Sequence, residues 1–208
     1  MNGKSHGRSY HHGDLKRSLI EAGEDLLSRK GVSGLSLREV AKAAGVSHSA
    51  PYRHFRDKAD LLAAIAQRGF ETMIDAESEL LRSCTDPGEQ FVRAYMDYVI
   101  VMAKNPERTK LMFGGIIDMK VAPPPLKQSA YRAFQGLVRI VRNCQDSGIF
   151  QEGETLELAF TAWTGMHGLA LLTTSGFLDD YASTSDQVRN LSSRLANTLL
   201  QGMSKGGQ

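Results

Sequence analysis

The sequence is short of the residues that would place it in several large classes. It has two cysteines, Cys84 and Cys144, 60 positions apart with no metal-ligand spacing. Neither a disulfide framework nor a zinc site is indicated. A reduced, cytoplasmic chain is the simplest reading, with pairing left open should the fold join the two thiols. No apolar run approaches the ~18 residues that a membrane span needs. The longest, residues 99–103, is far too short, so no membrane partner is expected. Residues 1–16 are polar and lack the apolar core of a signal peptide. Missing too are a glycine-rich phosphate loop, a serine or cysteine nucleophile beside an evident base, and a metal-spaced cluster. No enzymatic activity, no cofactor and no metal are therefore expected. Strand-like alternation is also absent, which argues against a sheet.

What is present is a globular composition, 41% hydrophobic and 23% charged, in 208 residues. That length suits one substantial core, or a small domain joined to a larger one. The net charge of +2 says little, but its distribution says more. Residues 1–60 carry 11 Lys/Arg against 7 Asp/Glu and five of the six histidines, whereas residues 61–208 have a balance of −2. A mildly basic head on a mildly acidic body suits a protein that meets phosphate with one end.

Apolar residues recur at spacings of three and four almost throughout, so the fold class is all-α with about nine helices. The first helix carries Leu15, Leu19, Ala22, Leu26 and Leu27 on one face and stops at Gly31. Ser36 and Glu39 form a capping box opening a short helix with Leu37, Val40, Ala41 and Ala44 inward, ended by Gly45. Ser47 is placed to cap a third helix, residues 48–55, and Asp57 a fourth that runs to about Leu81. Asp86, Pro87 and Gly88 break the chain, and a fifth helix carries Phe91, Tyr95, Tyr98, Val99 and Met102. Asn105-Pro106 restarts it, with Asn at the cap and Pro at the first helical position. Pro123, Pro124 and Pro125 read as a linker; a long helix with Ala130, Phe134, Leu137, Val141 and Cys144 follows. Two last helices lie near 154–175 and 185–203.

Three short helices near the start, the second and third joined by a glycine turn, make a helix-turn-helix over about residues 36–55. Ala41 is small where two helices must cross, Gly45 permits the turn, and Val46 pins it to the core. In the third helix His48 and Ser49 offer hydrogen bonds to base edges, while Ala50 and Pro51 offer apolar contact, for instance to a thymine methyl. Tyr52, Arg53, His54, Arg56 and Lys58 follow within reach of phosphates. Pro51 removes one backbone donor and disfavours helical geometry at Ala50.

These residues carry a resemblance. Leu37-Arg38-Glu39-Val40-Ala41-Lys42-Ala43-Ala44-Gly45-Val46-Ser47, then Tyr52-Arg53-His54-Phe55 with Lys58 and Leu61-Leu62, resemble the DNA-binding domain of TetR-family regulators. The likeness implies an all-α homodimer: a flexible basic arm (1–12), a helix-turn-helix domain (13–73), and an effector-binding and dimerisation domain (74–208). It implies phosphate contacts from Tyr52, His54 and Lys58 and base contacts around Ser49. The full expected DNA-binding set is Ser36, Arg38, Ser47, His48, Ser49, Ala50, Pro51, Tyr52, His54 and Lys58. Many members carry Leu or Ile where Pro51 stands.

In the arm, Lys4, Arg8, His11 and His12 are placed as minor-groove tails are, with a solvated tail as the plain alternative. His6, His11, His12 and Asp14 are the rival metal reading, which lacks an ordered third ligand. In the body, Val188, Leu191, Leu195 and Leu199 form a stripe at bundle spacing. Phe160, Leu169 and Leu172, with Gly165 and Gly168 as small residues, complete an expected dimer interface; packing within one chain is the alternative. The segment from Ala162 to Gly168 resembles a tryptophan, histidine and glycine pattern of one C-terminal domain class in the family. Candidates for an effector pocket are Tyr95, Tyr98, Met102, Met112, Phe113, Phe134, Trp163, Met166 and His167, the last equally at home as a hydrogen-bonded core residue. Their chemistry suits a mostly apolar organic molecule. The expected partners are thus a palindromic duplex, a second copy of the chain and a small effector. In that scheme the effector acts by changing the separation of two heads that must meet grooves ~34–36 Å apart. A helical protein-interaction module without DNA binding is the competing function.

Overall fold

The computed structural model describes residues 12–204. The arm therefore lies outside the described residues except for His12, which opens the first helix. The described residues contain eight α-helices, one 3-10 turn and no strand beyond an isolated bridge between Phe150 and Ser204. The all-α expectation holds. The chain divides into two compact units, one up to Ile65 and one from Ala66.

The first unit, the head, contains α1 (His12–Lys30), α2 (Leu37–Ala43), the 3-10 turn (Pro51–Arg53) and the opening turns of α3 (Lys58–Ser83). Leu19, Leu26 and Leu27 of α1 are buried with Leu37, Val40 and Ala41 of α2 and Phe55, Leu61 and Ile65 beyond the turn. Apart from the small Ala41, each such side chain contributes roughly 1.5–3 kcal/mol on leaving water. α1 stops where Gly31 takes a φ of +67°. The Ser36 hydroxyl caps α2, accepting from the Glu39 N–H at 3.2 Å. The reciprocal half of the box is replaced by an ion pair, Glu39 Oε1 to Lys30 Nζ at 2.9 Å, which lowers the Glu39 pKa.

The expected third helix is much shorter than its sequence suggests. Pro51 has no N–H to return to the Ser47 carbonyl, which takes the Ala50 N–H instead at 3.0 Å. Arg53 then bonds back to Ala50 and His54 to Pro51, both over three residues, and only Phe55 to Pro51 closes an α-type ring. Ala50 nevertheless keeps a right-handed helical backbone (φ −60°, ψ −43°) despite the proline after it. Ser47 does not cap this turn; its hydroxyl lies 3.2 Å from that of Ser49.

The second unit, the body, comprises the rest of α3, then α4 (Pro87–Lys104), α5 (Pro106–Phe113), α6 (Pro124–Asp146), α7 (Thr155–Thr174) and α8 (Ser185–Gly202). α4 is the central element, packed against α6, α7 and α8. Its Phe91, Tyr95, Val99 and Met102 are buried with Ile140, Val141 and Cys144 of α6, Phe150, and Ala159, Ala162 and Met166 of α7. The Phe91 and Phe150 rings meet edge to face, 5.1 Å apart. Asp86 caps α4 at the Glu89 N–H (2.6 Å), and Thr184 with Gln187 forms a full capping box on α8. The triple proline is no linker. Pro123 occupies the N-cap and Pro124 starts α6, where a preset φ helps and no N–H is required. Asn105 precedes α5 at the cap position without capping it; its amide donates to the Val101 carbonyl instead. Both cysteines are free and buried.

Candidate nucleic-acid interface and ligand cavity

In the head, the turn after Gly45 (φ +67°) exposes Ser47, His48 and Ser49 together, with Tyr52 following at 54% exposure. Ser36 and Arg38 are exposed at the start of α2. Ala50 and Pro51, expected to offer apolar contact to bases, are instead buried in the head with Phe55. They hold the turn from beneath. His54 is half-buried, its ring 6.4 Å from that of Phe55.

Two cations expected to reach phosphates have partners in the chain. The Lys58 ammonium donates to the Val32 carbonyl, tying the start of α3 to the loop after α1. Arg56 grips Asp60 with two bonds of 2.7 Å, and this partner holds the Asp60 carboxyl down at about 2. Asp60 also accepts the Arg56 N–H at 3.1 Å, and Asp57 caps α3 at the Asp60 N–H, 2.9 Å. The two carboxylates thus fix the end of the turn. Arg53, exposed at the end of the turn, has no recorded ion pair among the described residues.

The body contains two adjoining cavities. The larger, about 230 Å³, is lined by Phe70, Met73, Tyr98, Met112, Phe113, Met119, Ala130, Ala133, Phe134, Leu137, Trp163 and Met166. The smaller, about 110 Å³, adds Thr72, Ala76, Glu77, Leu80, Ala94, Asp97, Val101, Met102 and Ile140. The cavities bring together Tyr98, Met102, Met112, Phe113, Phe134, Trp163 and Met166 of the sequence-predicted set. Tyr95 is elsewhere, fully buried, its hydroxyl 3.4 Å from where a Cβ on Gly165 would stand. Burial pushes its phenol up to about 12.

His167 does not line either cavity but braces a residue that does. Its Nδ1 is 2.8 Å from the Tyr98 hydroxyl, which also receives the Trp163 indole N–H at 3.4 Å. Burial lowers the His167 pKa and raises that of Tyr98. A neutral His167 accepting the Tyr98 proton satisfies all three groups. The sequence reading missed the contribution of α3. Its signal was an apolar face of Phe70, Met73 and Leu80, which continues at helical spacing past the head.

The expected dimer set splits. Leu169 and Val188 are buried inside the unit, and a Cβ on Gly165 would meet Leu199 Cδ1 at 3.1 Å, so this glycine serves packing within the chain. Leu191 and Leu199 are half-buried against the same core. Phe160, Leu172 and Leu195 are exposed at 48%, 43% and 37%, and nothing lies within 4 Å of a Cβ on Gly168. Phe160 stacks on Phe134 of α6, centroids 4.9 Å apart. No described helix is long and apolar enough to cross a membrane.

Comparison with known proteins fits this division. A family profile described as bacterial regulatory proteins, tetR family, matches residues 19–65, and one described as tetracyclin repressor-like, C-terminal domain, matches residues 88–197. A solved protein of unknown function from Rhodococcus sp. RHA1 is 32% identical, covering 96% of this chain and 100% of its own, with a TM-score of 0.80. FadR of Bacillus subtilis, solved with stearoyl-CoA, shares the fold at 16% identity and a TM-score of 0.70, over 92% of this chain and 98% of its own. The HTH-type transcriptional regulator AcrR of Shigella flexneri is 33% identical over 101 residues, 48% of this chain and 46% of AcrR. The matched region spans about half the length of such curated relatives. With one profile on the helix-turn-helix and the other over more than half of the sequence, the chain belongs to the TetR family of bacterial regulatory proteins.

Proposed function

We propose that the protein is a homodimeric transcriptional regulator that binds a two-fold symmetric operator and is released from it by a small organic effector. The observation that carries the DNA-binding part is the exposed cluster Ser47, His48, Ser49 and Tyr52, held on the buried Ala50, Pro51 and Phe55. Short hydrogen-bonding side chains on a rigid turn suit base edges, and the Tyr52 hydroxyl, Arg38 and Arg53 suit phosphates. Lys58 retains a place in this reading through its charge, although it also braces the Val32 loop.

The exposed Phe160, Leu172 and Leu195 on α7 and α8 are the faces we assign to the second copy of the chain. The cavities of the body supply the effector site. Their lining favours a mostly apolar molecule; a binding screen in which only multiply charged metabolites raised the melting temperature would reject that assignment. Phe70, Met73 and Leu80 of the cavities lie on α3, the helix whose first residue is Lys58. Repression relieved by ligand is the sign we propose.

Selection of bound duplexes from random DNA tests the reading. The expected result is a two-fold symmetric site whose affinity falls steeply with salt. Ser49→Ala should relax base preference, whereas Lys58→Ala should weaken all sequences alike and lower the salt slope. A melting curve on Lys58→Ala separates its phosphate role from its bond to Val32. A strictly monomeric protein without salt-sensitive affinity for any duplex would sink the proposal and favour a protein-interaction module.

A further inference from the structure

The two cavities of the body differ in lining, and the difference bears on the charge of the guest. The larger is walled by rings and thioethers, among them Phe113, Phe134, Trp163 and Met112. The smaller holds both carboxylates, Glu77 and Asp97. Met73, Tyr98, Leu137 and Met166 line both, so the lobes adjoin, and the flexible methionines between them can turn aside for a guest.

Glu77 is already neutralised by Arg139, with bonds of 3.0 and 2.8 Å. Asp97 is solvent-exposed at the edge of the smaller lobe and makes no ion pair among the described residues; Arg93, one turn earlier on α4, faces Glu89 at 3.6 Å. No Lys, Arg or His lines either lobe. An anionic guest would therefore leave water for a site that offers no opposing charge and one unpaired carboxylate. A cation would gain the Asp97 carboxylate, with Tyr98 the one aromatic side chain that lines the same lobe.

Resting on the proposed effector site, we infer that its ligand is a monovalent organic cation, with a compact apolar body in the larger lobe and its positive group turned toward Asp97. At about 230 Å³, that lobe lies below the ~300–1,000 Å³ of pockets for drug-sized ligands, so the body is one or two rings.

The test uses three molecules with one body: 4-phenylbutylamine, 4-phenylbutanol and 4-phenylbutyrate, titrated into the full-length protein at neutral pH. Trp163 is the chain's one tryptophan and lines the larger lobe, so its fluorescence reports occupancy. The amine should bind about two- to fivefold more tightly than the alcohol, the size of a solvent-screened charge pair, with the carboxylate weakest. Asp97→Asn should abolish the amine's advantage over the alcohol, and an unfolding midpoint within about 1 °C of the wild type shows that the variant is folded. A carboxylate binding as well as the amine, an amine no tighter than the alcohol, or an advantage that survives Asp97→Asn overturns the charge assignment and leaves the cavity reading standing. Failure of all three to perturb Trp163 at millimolar concentration overturns the cavity reading and this inference with it.

Discussion

The head takes its shape from caps and turns, whereas the body takes its shape from buried side chains. Between Ser36 and Asp60 the decisive contacts are local: a hydroxyl on the N–H three residues ahead, Gly45 at φ +67°, a carboxylate capping α3. The polar residues left over face outward. In the body the decisive contacts join distant positions, such as the Phe91 and Phe150 rings or the Tyr98 hydroxyl and His167. There polar groups are turned inward and must find partners among themselves. The contrast suits a rigid surface that reads and an interior that can be filled.

The largest effect that sharpens this contrast is expected from Phe91→Ala. The side chain is fully buried and edge-on to Phe150 at 5.1 Å. Its truncation should cost roughly 3–5 kcal/mol, from lost transfer energy and the cavity left behind. Denaturant unfolding checks this. A loss under about 1 kcal/mol would mean that α4 is not the keystone of the body and would erase the contrast between body and head.

The head should respond instead at its backbone. A Cβ on Gly45 would meet nothing within 4 Å, so Gly45→Ala would carry only the cost of a left-handed conformation. That cost is about 1–2 kcal/mol. Gly45→Asn should lose less, because asparagine tolerates that region better. If alanine and asparagine were equally damaging, steric crowding rather than backbone conformation would be the reason, against the open space observed. Gly165 offers the counterpart in the body: there a Cβ would press on Leu199 at 3.1 Å, and packing decides the outcome.

The same contrast governs what could be read from the sequence. The caps at Ser36 and Asp57 and the stops at Gly31 and Gly45 follow rules that act within four residues, so they were legible; the cap at Asp86 follows the same rule but reads in the sequence only as a chain break. The third helix was overread because its polar and small residues look helical while one missing N–H at Pro51 governs its bonding. The triple proline was misread for the complementary reason: proline breaks a helix inside it and favours one at its start. The inward turn of Ala50 and Pro51 and the engagement of Arg56 with Asp60 depend on which way a three-residue turn rotates, and no pattern specified that. In the body the apolar candidates were recognisable, but seven of the nine line the cavities while Tyr95 and His167 do not, a choice made by helix rotation over long sequence separations. Asp97 and Glu77 were invisible as cavity residues because acids on amphipathic helices ordinarily face water, as the exposed Asp97 still does at the edge of the smaller lobe.

The smallest effect, and the one that probes the interior polar groups directly, is a pH dependence from His167. Burial lowers its pKa below the ordinary 6.5. The unfolded chain therefore takes up the proton first as the solution is acidified. Stability from the neutral imidazole is complete above about pH 6.5 and declines below it, until the depressed folded pKa is reached. The stereochemistry agrees: a protonated ring would turn Nδ1–H toward a Tyr98 oxygen that already receives the Trp163 N–H, and the Tyr98 proton would need another acceptor. Unfolding midpoints between pH 8 and pH 5.5 should fall on acidification more in the wild type than in His167→Asn. The difference between the two curves removes the histidines of the head, which are common to both. A difference curve that is flat, or one that rises on acidification, would show that the body does not hold this imidazole neutral and that its polar interior is open to water as the surface of the head is.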